Sequence, residues 1–248
     1  MFNTIPKKLK NNILLIGVLL LVFSCDKEVK IEFEEEHIET ADGANVAINY
    51  PKAEGTKDIA NTINKTLQDY IVSQTNFSED DTNQKSIDDA ISQFNNEYNR
   101  FKQDFPDSQK PWEVFIDGEV TYRTPEIICI SINSYLDTGG AHGNTNVRFF
   151  NFDPLTGKLL SKKDLISNME ALSEVIEKKL NSEVESNAKN EPIEDFFFGK
   201  DFQLPETLGY SDEGLIVLYN PYEIASYSRG IIEFSIPFSE VKDLLKIH

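Results

Sequence analysis

The sequence predicts an α+β fold: antiparallel sheets with packed helices, arranged as two small interlocked subdomains. Three observations predict it. Apolar residues recur every three or four positions in three separate stretches, the mark of amphipathic helices. Other stretches alternate apolar and polar residues and lie next to one another in the chain. Helices are thus segregated from runs of strands, which favours antiparallel sheet over alternating βαβ units. No repeat of 20–50 residues and no low-complexity tract interrupts this pattern.

Taken in order, residues 26–36 are charged and read as a tether entering a first strand. Val46, Ile48 and Tyr50 alternate before Pro51. Ile59, Ile63, Leu67 and Ile71 then predict a helix over residues 57–73. Thr75 to Lys85 is polar and reads as a loop. Ser86 and Asp89 have the spacing of a capping box and open a second helix. Its stripe of Ile87, Ile91, Phe94, Tyr98, Phe101 and Phe105 is expected in the core, and Pro106 stops it. Three strand-like runs follow. The first, from Trp112 to Tyr122, is expected to break into two halves at Asp117-Gly118; the others centre on Ile130 and on Phe149. A third helix carries Leu165, Leu172, Ile176, Leu180 and Val184. Residues 186–206 read as irregular, residues 215–219 and 231–236 as strands. Ser239 is expected to cap a short last helix.

The first 25 residues speak to location. Lys7, Lys8 and Lys10 precede an apolar run from Ile13 to Phe23, which is shorter than the roughly 20 residues of a membrane span. The run ends in Ser24-Cys25 and turns polar at Asp26. This ending resembles a bacterial lipobox, in which the cysteine is lipidated after cleavage. The expected organisation is a signal peptide over residues 1–24, a tether over 25–40, and domains over 41–136 and 137–248. The expected location is a Gram-negative envelope, lipid-anchored on the periplasmic or cell-surface face.

Removing residues 1–24 leaves 224 residues and takes the net charge from −18 to −21. Such a chain repels polyanions, so nucleic acid is excluded as a partner and a cationic partner is favoured. The same charge also serves as a plain solvated surface. Only Cys25 and Cys129 are present; Cys129 lies in an apolar run and reads as a small buried hydrophobe.

Asp137-Thr138-Gly139-Gly140-Ala141-His142-Gly143 is the most unusual local sequence. Its glycines permit backbone angles closed to other residues. Gly139, Gly140, His142 and Gly143 are therefore candidates for a ligand or catalytic loop. A tight turn whose histidine bonds the neighbouring backbone is the alternative. His37, His142 and His248 show no metal-type spacing, and neither a metal nor a cofactor is expected. Asp117, Glu119 and Glu126 are the carboxylates to watch for a glycosidase-type pair. Trp112, Tyr135, Tyr222 and Tyr227 are aromatics able to stack on sugar.

The run TGGAHG, an aromatic strand and FDPLTGKLL resembles the C-terminal domain of RsiV-type lysozyme-sensing anti-sigma factors. Residues 214–245 match that domain's end at Gly214, Pro221, Tyr222, Glu223, Gly230, Pro237 and Leu244. Tyr50-Pro51-Lys52, with Asn61 and Asn64 on the next helix, is similar to the domain these sensors share with PdaC-type peptidoglycan deacetylases. The resemblance adds Tyr222 and Glu223 to the ligand-binding candidates. It differs in showing neither a sigma-binding segment nor a zinc deacetylase domain. It implies a non-catalytic recognition module for a basic muramidase-type protein or for peptidoglycan, held to the membrane by its lipid. An enzyme acting on envelope glycan through the GGAHG loop is the alternative.

Overall fold

A computed structural model describes residues 30–40, 43–75, 86–187 and 193–247. The expected signal peptide, Cys25, most of the 75–85 loop and His248 lie outside the described residues. Strands β1 (Ile31–Thr40), β2 (Asn45–Gly55), β3 (Glu113–Arg123), β4 (Ile128–Asp137) and β5 (Asn144–Phe152) form one sheet in that order. Strands β6 (Leu208–Ser211), β7 (Gly214–Tyr219) and β8 (Ile232–Ile236) form a second. The fold is α+β, and its sheets are antiparallel apart from one pair. β2 and β3 run parallel because helices α1 (Lys57–Thr75) and α2 (Ile87–Asp104) connect them. A connection of that length is what a parallel neighbour requires.

Helix α1 buries Ile59, Ile63, Leu67 and Ile71, the four positions its spacing marks. Each apolar side chain moved fully from water stabilises by about 1.5–3 kcal/mol. The Asn64 amide ties this helix to β2, donating to the Ala53 carbonyl at 2.9 Å and accepting from the Ala53 N–H at 2.7 Å. Ser86 caps α2, its hydroxyl accepting from the Asp89 N–H at 3.1 Å. The α2 stripe sinks into the core through Ile87, Ile91 and Phe94. Its far end does not: Phe105, the C-cap residue just past the helix, is 58 % exposed. Trp112 is core, packed against Phe94, Tyr98 and Phe101.

The charged segment entering the fold is strand from Ile31 to Thr40. β3 is one continuous strand, so Asp117-Gly118 makes no turn. Asp117 has strand partners on both sides and Gly118 pairs with Ile132, the register shifting only later, between Val120 and Tyr122; a Cβ on Gly118 would lie 2.5 Å from Ile132 and 3.0 Å from Pro51. The reversal falls at Thr124–Ile127 instead, closed by a Thr124 N–H to Ile127 carbonyl bond of 2.9 Å.

The third helical stretch divides into α3 (Lys162–Leu165) and α4 (Met169–Asn187). A second core forms where α4, the β6–β8 sheet and Phe149 of β5 meet around Leu172, Ile176, Val217 and Tyr219. Strand β6 is too short for alternation to reveal it. Its Tyr210 N–H donates to the Cys129 sulfur at 3.3 Å, and burial pushes that thiol up to about 11. The last helix, α5 (Phe238–Val241), begins after Pro237, two residues before the expected cap. Residues 31–248 make one compact unit. No helix among the described residues is long and apolar enough to cross a membrane.

Candidate functional site

The glycine loop spans β4 and β5, and its anchor is Asp137. That carboxylate is buried and accepts from the Lys110 ammonium, from the Tyr135 hydroxyl at 3.1 Å and from the Gly139 N–H at 2.8 Å. The Lys110 bond, then the Gly139 and Tyr135 bonds, hold its carboxyl below the usual carboxylate range against the opposing effect of burial.

The three glycines have different physical reasons. Gly139 has φ +81°, in the left-handed region that glycine enters without strain. Gly143 is buried, and a Cβ there would lie 2.4 Å from the Tyr135 ring. Gly140 is exposed, and a Cβ there would meet nothing closer than 4.0 Å. The loop is a tight turn that presents Gly140, Ala141 and His142 to solvent.

His142 is held from both sides. Its ring stacks on Tyr227 with centroids 3.7 Å apart and planes 16° apart. Its Nδ1 lies 2.9 Å from the Gly143 carbonyl, which accepts, so Nδ1 carries the proton in this contact. The Tyr227 hydroxyl donates to the same carbonyl at 2.9 Å. One oxygen thereby fixes both rings of the stack. Tyr222 extends the platform, 5.7 Å from Tyr227 and 56 % exposed. Its φ of +69° is strained for a tyrosine, and its N–H is tied to the Ala225 carbonyl at 3.1 Å. Phe115 of β3, 42 % exposed, stacks on Tyr135 of the strand that leads into the loop.

Glu223 plays another part. Its carboxylate accepts from the Asn220 N–H at 2.8 Å and the Glu206 N–H at 2.6 Å, which shapes the loop. Asn220 in turn clamps β5: its amide accepts from the Val147 N–H at 2.7 Å and donates to the Val147 carbonyl at 2.9 Å. Sequence reasoning passed over Asn220. Its signal is the Asn-Pro pair directly after a fully buried strand, a turn former in position to cap a sheet edge.

The structure therefore joins His142, the glycines, Tyr222 and Tyr227 in one corner. His37 stands apart on edge strand β1, bonded to Asn49. Asp117 and Glu119 line a groove between the sheets, whereas Glu126 sits at the exposed β3–β4 turn.

A family model described as Deacetylase PdaC matches residues 38–145, and one described as Protein of unknown function (DUF3298) matches residues 160–239. The first match holds the glycine loop and the second the Tyr222–Tyr227 loop, so the corner is built from both. Anti-sigma-V factor RsiV of Bacillus subtilis (strain 168) is 26 % identical over 140 residues, 53 % of this chain and 48 % of that protein. The chain thus spans about half the length of the curated relative it matches.

Two solved structures share the fold. A DUF3298 family protein from Pseudomonas aeruginosa PAO1 has a TM-score of 0.59 at 21 % identity, covering 89 % of this chain and 96 % of its own. A DUF3298 family member from Bacteroides fragilis NCTC 9343 has a TM-score of 0.61 at 20 % identity, covering 87 % and 93 %. The PdaC match followed by the DUF3298 match along one continuous unit, together with the likeness to RsiV, supports an RsiV/PdaC-type domain pair.

Proposed function

We propose that this chain is a non-catalytic envelope lipoprotein whose His142–Tyr227–Tyr222 corner recognises a basic, lysozyme-like protein. The observation that carries the reading is the corner itself. Three aromatic side chains stand at or near the surface, His142 and Tyr227 fixed by bonds to the Gly143 carbonyl, and no acid–base partner reaches His142 among the described residues. Rigid, exposed aromatics lose little entropy on binding and are the favoured anchors of protein interfaces. The loop's one buried carboxylate, Asp137, is committed to Lys110, Tyr135 and Gly139, which removes it as a partner for acid–base work by His142. The net charge of −18 supports a cationic partner, and the kinship to an anti-sigma factor of the RsiV type supports sensing over catalysis. Residues 137–248 supply the recognition corner in this reading, and residues 41–136 the scaffold beneath it.

Cell-wall glycan is the second reading, because sugars also stack on tyrosine faces. A pull-down with residues 26–248 against hen egg-white lysozyme and against peptidoglycan fragments separates the two. Retention of lysozyme alone is expected; retention of glycan alone overturns the protein-partner reading.

Anchoring through Cys25 rests on the Ser24-Cys25 ending of a basic, apolar leader. Cys25→Ala is expected to abolish acyl labelling and to release the protein from the membrane fraction. Undiminished labelling in that variant contradicts the anchor.

A further inference from the structure

The first sheet carries its helices on one face, and the β6–β8 sheet covers only part of the other. Where that cover ends, a groove of about 230 Å³ remains, lined by β3, β4, β5, β7 and β8. Its lining is mixed in a particular way. Phe149, Ile216 and Leu218, all largely buried, form an apolar floor, while Asp117, Glu119 and Glu233 offer three exposed carboxylates at its rim. None of the residues lining it is Lys, Arg or His. Among the described residues, none of the three carboxylates has a hydrogen-bond or ion-pair partner. Elsewhere on the first sheet Glu36 pairs with Lys52, Glu32 with Arg123 and Asp137 with Lys110, whereas Glu34 and Glu35 of β1 form no ion pair among the described residues.

We propose that this groove seats a lysine or arginine side chain presented by the basic partner protein. The proposal rests on the partner reading above and gives that partner a second point of attachment. The match is one of shape and charge together. Long cationic side chains lay an aliphatic stem on apolar surface and carry the charge at the tip. Here the stem meets Phe149, Ile216 and Leu218, and the tip meets the carboxylates. A metal ion is a poorer occupant, since no set of three metal-ligating side chains converges among the described residues.

The test compares two triple variants of equal charge. The groove variant is D117N/E119Q/E233Q. The control, E170Q/E174Q/E177Q, removes three exposed carboxylates from α4. Both substitute exposed positions, and melting curves verify that both fold. The probes are hen egg-white lysozyme and a hepta-arginine peptide, measured by calorimetry at fixed salt.

The groove variant is expected to lose about tenfold in affinity for each probe, the control less than twofold. Equal losses in the two variants, or no loss in the groove variant, overturn the groove assignment. If lysozyme fails to bind even the unmodified chain while hepta-arginine still discriminates the variants, the partner reading falls and the groove stands.

Discussion

Gly143→Ala is expected to lower stability by about 1–3 kcal/mol, the cost of forcing a methyl group into a filled space. The methyl carbon would lie 2.4 Å from three atoms of the Tyr135 ring. That ring has nowhere cheap to go, because it stacks on Phe115 and its hydroxyl holds Asp137. Each kcal/mol shifts the melting temperature by roughly 2–4 °C in a chain of this size. Gly140→Ala, facing open solvent, is expected to melt as the unmodified chain does. Thermal melts of the two variants check the contrast. Equal melting temperatures contradict the packing role given to Gly143.

Tyr227→Ala is expected to weaken binding to lysozyme by about 2 kcal/mol or more, roughly thirtyfold, as truncation of a central aromatic anchor does. The substitution removes the ring beneath His142 and one of the two donors to the Gly143 carbonyl. His142 then loses its fixed orientation and Tyr222 its neighbour. Tyr227→Phe keeps the stack and loses only the hydroxyl bond, so an intermediate loss is expected. His142→Ala is expected to weaken binding while leaving the melting temperature nearly unchanged, since the side chain is exposed. Calorimetry and melting curves on the three variants check this. Unaltered affinity in Tyr227→Ala contradicts the corner as the binding surface.

The helices were legible because their apolar spacing matches what they bury: Ile59, Ile63, Leu67 and Ile71 are all core. Strands β2 and β4 were legible by alternation, as Ile128, Ile130 and Ile132 illustrate, whereas most of β1 read as a charged tether and β3 as two halves. Two further features escaped. The parallel β2–β3 pair depends on where a chain returns after two helices, which local periodicity does not encode. β6 is four residues long and three of them are buried, leaving no alternation to find.

At the site, the glycine loop stood out as unusual local sequence, and Tyr222 through the family resemblance and as an aromatic able to stack on sugar. That they meet was not legible. Their contact joins residues 142 and 227 through a ring stack and a carbonyl, and no local signal spans that separation. The two jobs of the NPYE run were also hidden. Tyr222 faces solvent, whereas Glu223 is spent on backbone N–H groups.

The central claim is that an acidic chain meets a basic protein through the aromatic corner. Long-range charge then steers the encounter, and short-range stacking sets the lifetime. Surface plasmon resonance between residues 26–248 and lysozyme, across a salt series, tests this most directly. The Debye length shrinks from roughly 10 Å at 0.1 M to 3 Å at 1 M. The account predicts an association rate that falls steeply over that range while the dissociation rate changes little. A salt-independent association rate, or no lysozyme binding at micromolar concentration beside clear binding of glycan, would contradict it.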